Sequence, residues 1–128
     1  MTPLPKVLEE WLRCRQWVLS ALEVAGGTHN EEDVLSWILT GRAQFWPGKK
    51  SAIVTEVETY PRAKVLNFWL AGGDLDEVKA MQGPILKWGR KAGCTKATAC
   101  GRFGWERVLT DWKRQAVVIS RDILELKE

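Results

Sequence analysis

The stretch Asn67-Phe68-Trp69-Leu70-Ala71-Gly72-Gly73-Asp74-Leu75-Asp76-Glu77-Val78 passes from an apolar run through two glycines into a helix-like pattern. Its reading decides the fold, because it fixes where a strand stops and where the next helix begins. Such a junction has two physical uses. It can end a strand and cap a helix, or it can hold an anion, since free amides and the positive helix end attract phosphate and glycines let the backbone approach it. Asp74, Asp76 and Glu77 place three carboxylates in the first helical turn. Asp74 is well suited to accept the amide hydrogen bonds that a diphosphate would want. A helix terminus favours an anion by roughly 0.3–1 kcal/mol at exposed sites, whereas a close like-charge pair near a surface costs on the order of 1–4 kcal/mol. The balance tips toward the structural cap.

Downstream, Leu75, Val78, Gln82, Ile85 and Leu86 share one helical face, with Gly83-Pro84 interrupting it. Pro84 lacks a donor and crowds the carbonyl four residues back, so a kink or two abutting helices are expected. Gly93 closes the helix, "CTKATAC" reads as a short strand, "RFGWERVLTDW" as a short helix and "QAVVIS" as a last strand. Upstream, "AQFW", "SAIVTEVETY" and "AKVLNFWLA" read as three strands of an antiparallel meander, with Pro47-Gly48 and Pro61 at the turns.

Before them, Val7, Trp11, Cys14, Val18, Ala21 and Ala25 recur at helical steps and predict an amphipathic helix over about residues 5–25. Gly26-Gly27 ends it. "THNE" then reads as a capping box between Thr28 and Glu31, opening a second helix that runs to about Thr40 and stops at Gly41. The order is α-α-β-β-β-α-β-α-β: an α+β (mixed α/β) single domain over residues 1–128, with a central mixed, mostly antiparallel sheet flanked by helices.

Composition narrows the function classes. The chain has 128 residues, 45% hydrophobic and 27% charged, with no apolar run long enough to span a bilayer and no apolar secretory leader, so membrane association is not expected. Cys14, Cys94 and Cys100 have no metal-ligand spacing and form no even disulfide set, so no metal site is expected. The single histidine, His29, reads as a solvated loop residue rather than a base. Net charge is +3, yet from Lys79 to Arg114 nine basic residues stand against Glu106 and Asp111. That block could face nucleotide phosphate, nucleic acid or an acidic protein, or simply water; without a helix-turn-helix or zinc-finger signature, nucleic-acid binding is the weakest of the functional readings. Eight tryptophans are scattered along the chain, which fits core packing and interfaces, and exposed ones would be anchors for a protein partner.

The element order, the glycine junction after the third strand and the "GRFGWERVL" after the next strand together resemble the GNAT-type N-acetyltransferases. More narrowly, "TEVETYPRAKVLNFWLAGGDLDEV" (residues 55–78) and "GCTKATACGRFGWERVL" (residues 93–109) are similar to small GNAT-like proteins of tailed bacteriophages and prophages. The resemblance implies a phage protein in the host-cell cytoplasm or the virion, acting in the virion, in morphogenesis or on a host protein, with homo-oligomerisation left open. It also implies the alternative of an acetyl-CoA-dependent N-acyltransferase acting on a small amine or a protein amino group.

In that family, coenzyme A diphosphate lies on a turn of pattern Arg/Gln-x-x-Gly-x-Gly/Ala, which maps here onto the backbone of Leu70, Ala71, Gly72, Gly73 and Asp74. Aligned on Gly72, the pattern meets Trp69 and Asp74; aligned on Gly73, it meets Leu70 and Leu75. Neither register supplies it. The family's acid, a tyrosine on the helix after its fifth strand, has no counterpart in Arg102-Phe103-Gly104-Trp105-Glu106-Arg107; Tyr60, the only tyrosine, reads as a rim residue. Amine acetylation also needs a base. Glu56, and after it Glu58, are the best carboxylates for that role, although both also fit as solvent-facing strand residues.

Overall fold

The computed structural model describes residues 4–25, 27–100, 109–124 and 126. The elements are α1 (Leu4–Val24), α2 (Glu31–Leu39), β1 (Gln44–Pro47), β2 (Ser51–Tyr60), β3 (Ala63–Gly73), α3 (Leu75–Lys91) and β4 (Lys96–Ala99). The sheet has the order β1-β2-β3-β4. Its first three strands form the antiparallel meander, and β4 runs parallel to β3 after the α3 crossover. The mixed α+β architecture therefore holds, and the first seven elements follow the expected order.

Three local expectations change. The second helix is capped two residues later than the "THNE" reading placed it: Asn30 accepts from the Asp33 amide and Asp33 accepts from the Asn30 amide, both at 2.9 Å. Asn30 can do this because Asp33 stands three residues on, where a capping-box acid belongs. Glu31 is drawn instead to α1, where Arg15 grips it with two 2.7 Å bonds and the Trp11 indole donates at 3.3 Å. Second, α3 is one helix with Pro84 inside it. Third, "QAVVIS" forms no strand: residues 115–120 are exposed and belong to no strand of the sheet. Strand propensity needs a partner edge, and in the single chain this segment pairs with none. The "RFGWERVL" part of the expected fourth helix lies outside the described residues.

Two cores form, one on each sheet face. Trp11, Cys14, Val18 and Leu22 of α1 and Val34 of α2 close over Ala52, Val54 and Leu70. On the other face Val78 and Ile85 of α3 close over Ile53 and Leu66. The alternation is interrupted once. Val54 faces Leu70 while Thr55 faces Phe68, so Trp69 is the extra residue of a bulge in β3. Trp69 therefore joins Leu70 on the α1/α2 face.

No described tryptophan is exposed. Trp11 is buried and Trp17, Trp37, Trp46, Trp69, Trp88 and Trp112 are half-buried, packed in pairs such as Trp37 with Trp69 and Trp46 with Trp88. The expected exposed anchors are thus core and rim residues, and Trp105 lies outside the described residues. Among the described residues no helix is long and apolar enough to cross a membrane.

The close approach of α1 to β3 yields a stability test. A Cβ on Gly72 would lie 2.4 Å from the Trp17 carbonyl oxygen, whereas one on Gly89 would meet a Leu66 methyl carbon at 2.7 Å. Backbone cannot yield as a methyl can. Gly72→Ala is expected to lose about 1–3 kcal/mol to overpacking; Gly89→Ala should come much closer to neutral, since the helix gains about 0.5–1 kcal/mol from losing a glycine. Denaturant unfolding of the two variants checks the order.

Candidate functional site

Gly72 and Gly73 are not a free turn. They are the last two residues of β3, in register with Ala52 and Ser51. Gly73 has φ +107°, and a Cβ there would sit 2.3 Å from the Lys50 carbonyl oxygen; only glycine suits both conditions. The strand is then tied to the β1–β2 hairpin. The Asp74 amide donates to Lys50 O at 2.9 Å, and the Asp74 carboxylate accepts from the Glu77 amide at 3.0 Å as the N-cap of α3. The Glu77 carboxylate in turn accepts from the Lys50 amide at 2.8 Å and from the Ser51 hydroxyl. These bonds, the one from the buried Ser51 first, hold the Glu77 carboxyl below the usual carboxylate range. Of the five backbone positions carried over from the family, Asp74 is engaged in capping and Gly72 is filled by α1.

The other edge of β3 is different. The bond from Asp74 N to Lys50 O makes Ser51↔Gly73 a non-hydrogen-bonded pair, so the amides of Leu70 and Gly72 turn toward β2 and those of Ala71 and Gly73 turn away from it. β4 pairs only with Val65 to Phe68. Among the described residues, then, β3 has an unpaired edge from Trp69 to Gly73, beginning at the bulge.

Glu56 and Glu58 lie on the α1/α2 face of β2, beyond the part that α1 covers. Glu56 accepts from Asn67 Nδ2 at 3.0 Å, and Asn67 Oδ1 accepts from the Thr98 hydroxyl at 3.1 Å. The result is a polar chain across β2, β3 and β4. Glu56 also lines a shallow hollow of about 280 Å³ with Trp37, Gly41, Arg42, Gln44 and Val57. Glu58 is separate, taking a hydrogen bond from the Tyr60 hydroxyl at the exposed hairpin end. That bond to an anionic acceptor raises the phenol above its ordinary range, which makes Tyr60 a poorer acid and leaves it at the rim.

His29 is not a solvated loop residue. Its ring packs edge-on against Trp37 and Trp69 at centroid distances of 4.9 and 4.8 Å, and Nδ1 shares a 2.7 Å hydrogen bond with the Thr28 hydroxyl. Arg42 stacks on Trp37 at 4.1 Å. Asn67, Thr98, His29, Trp37 and Trp69 were not singled out by the sequence as site residues. Asn67 and Thr98 carry only the alternation of their strands as a signal, and the bulge that presents Trp69 is visible only once β3 is paired.

The cysteines are free: Cys14 and Cys94 are buried and Cys100 is exposed, and burial pushes the Cys14 thiol up. No group of acidic, histidine or cysteine residues that could hold a metal ion occurs among the described residues. On α3 and β4, Lys79, Lys87, Arg90, Lys91 and Lys96 all face water.

Comparison with protein-family models, with curated proteins and with solved structures gives no match for this chain.

The tie at Glu77 predicts a pH signature. Its pKa is lower in the folded than in the unfolded chain, so its contribution is present above the unfolded value and is lost as pH falls through the folded value. Glu77→Gln should flatten the acid limb of the stability profile below the usual carboxylate range, measured by urea unfolding across pH. Parallel limbs for the two proteins would contradict this.

Proposed function

We propose that this chain uses a GNAT-type fold as a binding scaffold and not as an acetyl-CoA-dependent enzyme, in the role its phage-protein resemblance implies: a virion, morphogenesis or host-interaction component. The observation that carries this reading is the start of α3, which engages its own carboxylates. Asp74 caps the helix and Glu77 ties it to the hairpin, while Asp74 and Asp76 leave exposed carboxylates where a diphosphate would lie. The residues present do not fit that group. Gly72 adds no space, because the Trp17 carbonyl occupies it.

A second reading, an N-acyltransferase acting on a small amine or a protein amino group, is favoured by one feature. Glu56 sits at the end of the Glu56–Asn67–Thr98 chain, on the strand next to the open β3 edge, where a carboxylate could take a proton from an ammonium group. The described part of the basic block on α3 and β4, Lys79, Lys87, Arg90, Lys91 and Lys96, is exposed and gives nucleic-acid binding no comparable support.

Isothermal titration with acetyl-CoA separates the first two. The scaffold reading expects no heat and no thermal shift for the wild-type chain. Micromolar binding, with acetyl transfer to an amine that Glu56→Gln abolishes, would establish the enzyme instead.

A further inference from the structure

We propose that the segment Gln115–Leu124 is an exchanged arm, which adds as a strand to the outer edge of β4 in a second copy of this chain. The inference does not depend on whether coenzyme A binds. It starts from an imbalance within the chain. Val117, Val118, Ile119, Ile123 and Leu124 are 65%, 77%, 89%, 72% and 93% exposed, although Ala116-Val117-Val118-Ile119 is an uninterrupted apolar and largely β-branched run. Such a run fits a strand covered on both faces. Contiguous exposed apolar surface of this kind marks an interaction site.

The root of the arm is fixed. Leu109 is buried, and the Trp112 indole donates to Gln82 Oε1 of α3 at 2.8 Å. The same ring packs edge-on against Phe68 at 5.5 Å. Phe68 is the β3 residue in register with Ala99, the last residue of β4. The chain is therefore held at the end of β4 and then leaves the body, every described residue from Lys113 to Leu124 being exposed. Extended, the ten residues from Gln115 to Leu124 reach about 33 Å.

The acceptor is on the same molecule. β4 is the last strand of the sheet, paired on one side only among the described residues. An unpaired edge presents a row of donors and acceptors that templates another strand. One chain thus carries both a strand without a sheet and a sheet edge without a strand. Two copies satisfy both deficits reciprocally and close with two-fold symmetry, as self-complementary interfaces do. The arriving strand would lie beside Thr98, so the partner copy would wall the polar chain that ends there.

Light scattering on the full chain after size exclusion should give a dimer. Val118→Pro removes a ladder donor at a position exposed in the single chain, so it should leave the circular dichroism spectrum unchanged while weakening dimerisation by roughly tenfold or more. A second measurement locates the arm. In a Cys100→Ser background, Lys96→Cys with Ile119→Cys treated with a short bismaleimide should yield a covalent dimer. A monomeric wild-type chain, a dimer indifferent to Val118→Pro, or cross-linking only within one chain would each overturn the proposal, the last by placing the arm on its own sheet.

Discussion

The fold hinges on the knot that joins the end of β3 to the β1–β2 hairpin. Lys50 gives its carbonyl to the Asp74 amide and its own amide to the Glu77 carboxylate, and Asp74 closes the loop by accepting from the Glu77 amide. Three residues thus bond one another's backbone groups at the point where sheet becomes helix. The knot fixes where α3 starts. That start sets which face of α3 meets Ile53 and Leu66, and through the crossover it sets where β4 lies beside β3. Gly72 and Gly73 belong to the same constraint: side chains there would collide with α1 and with the hairpin.

Seen from the opposite face, the knot and the bulge divide β3 into two working halves. Before the bulge, Asn67 bridges Glu56 and Thr98 across a part of the sheet made of β2, β3 and β4. After it, among the described residues, the strand has β2 on one side and an open edge on the other. Trp69, displaced by the bulge, packs on Trp37, and His29 packs edge-on against both rings. This face therefore places an aromatic cluster near a carboxylate held by an amide.

Much of this architecture is legible in the sequence because its signals are local. The helical spacing of Trp11, Cys14 and Val18, the strand alternation of residues 51–60 and the glycine and proline punctuation each depend on a few neighbouring residues. The α2 cap shows where locality fails: Thr28 and Asn30 are both competent caps, and the choice falls to Asn30 because Asp33 serves it while Glu31 is taken by Arg15, sixteen positions away. The bulge at Trp69 and the Glu56–Asn67–Thr98 chain are products of pairing between distant strands, so no window of sequence contains them. Residues 115–120 mark the converse case, a local strand propensity that finds no partner strand within the described single chain.

We propose that the Asp74 and Glu77 carboxylates, which take the Glu77 and Lys50 amides at the start of α3, close that spot to an anionic cofactor. Amide chemical shifts of Ala71, Gly73, Asp74 and Leu75, followed by NMR as coenzyme A is added, probe that spot directly. The account predicts that these four resonances stay where they are up to saturating ligand. Progressive, saturable shifts centred on Ala71 and Gly73, whose amides face the open edge, would contradict it.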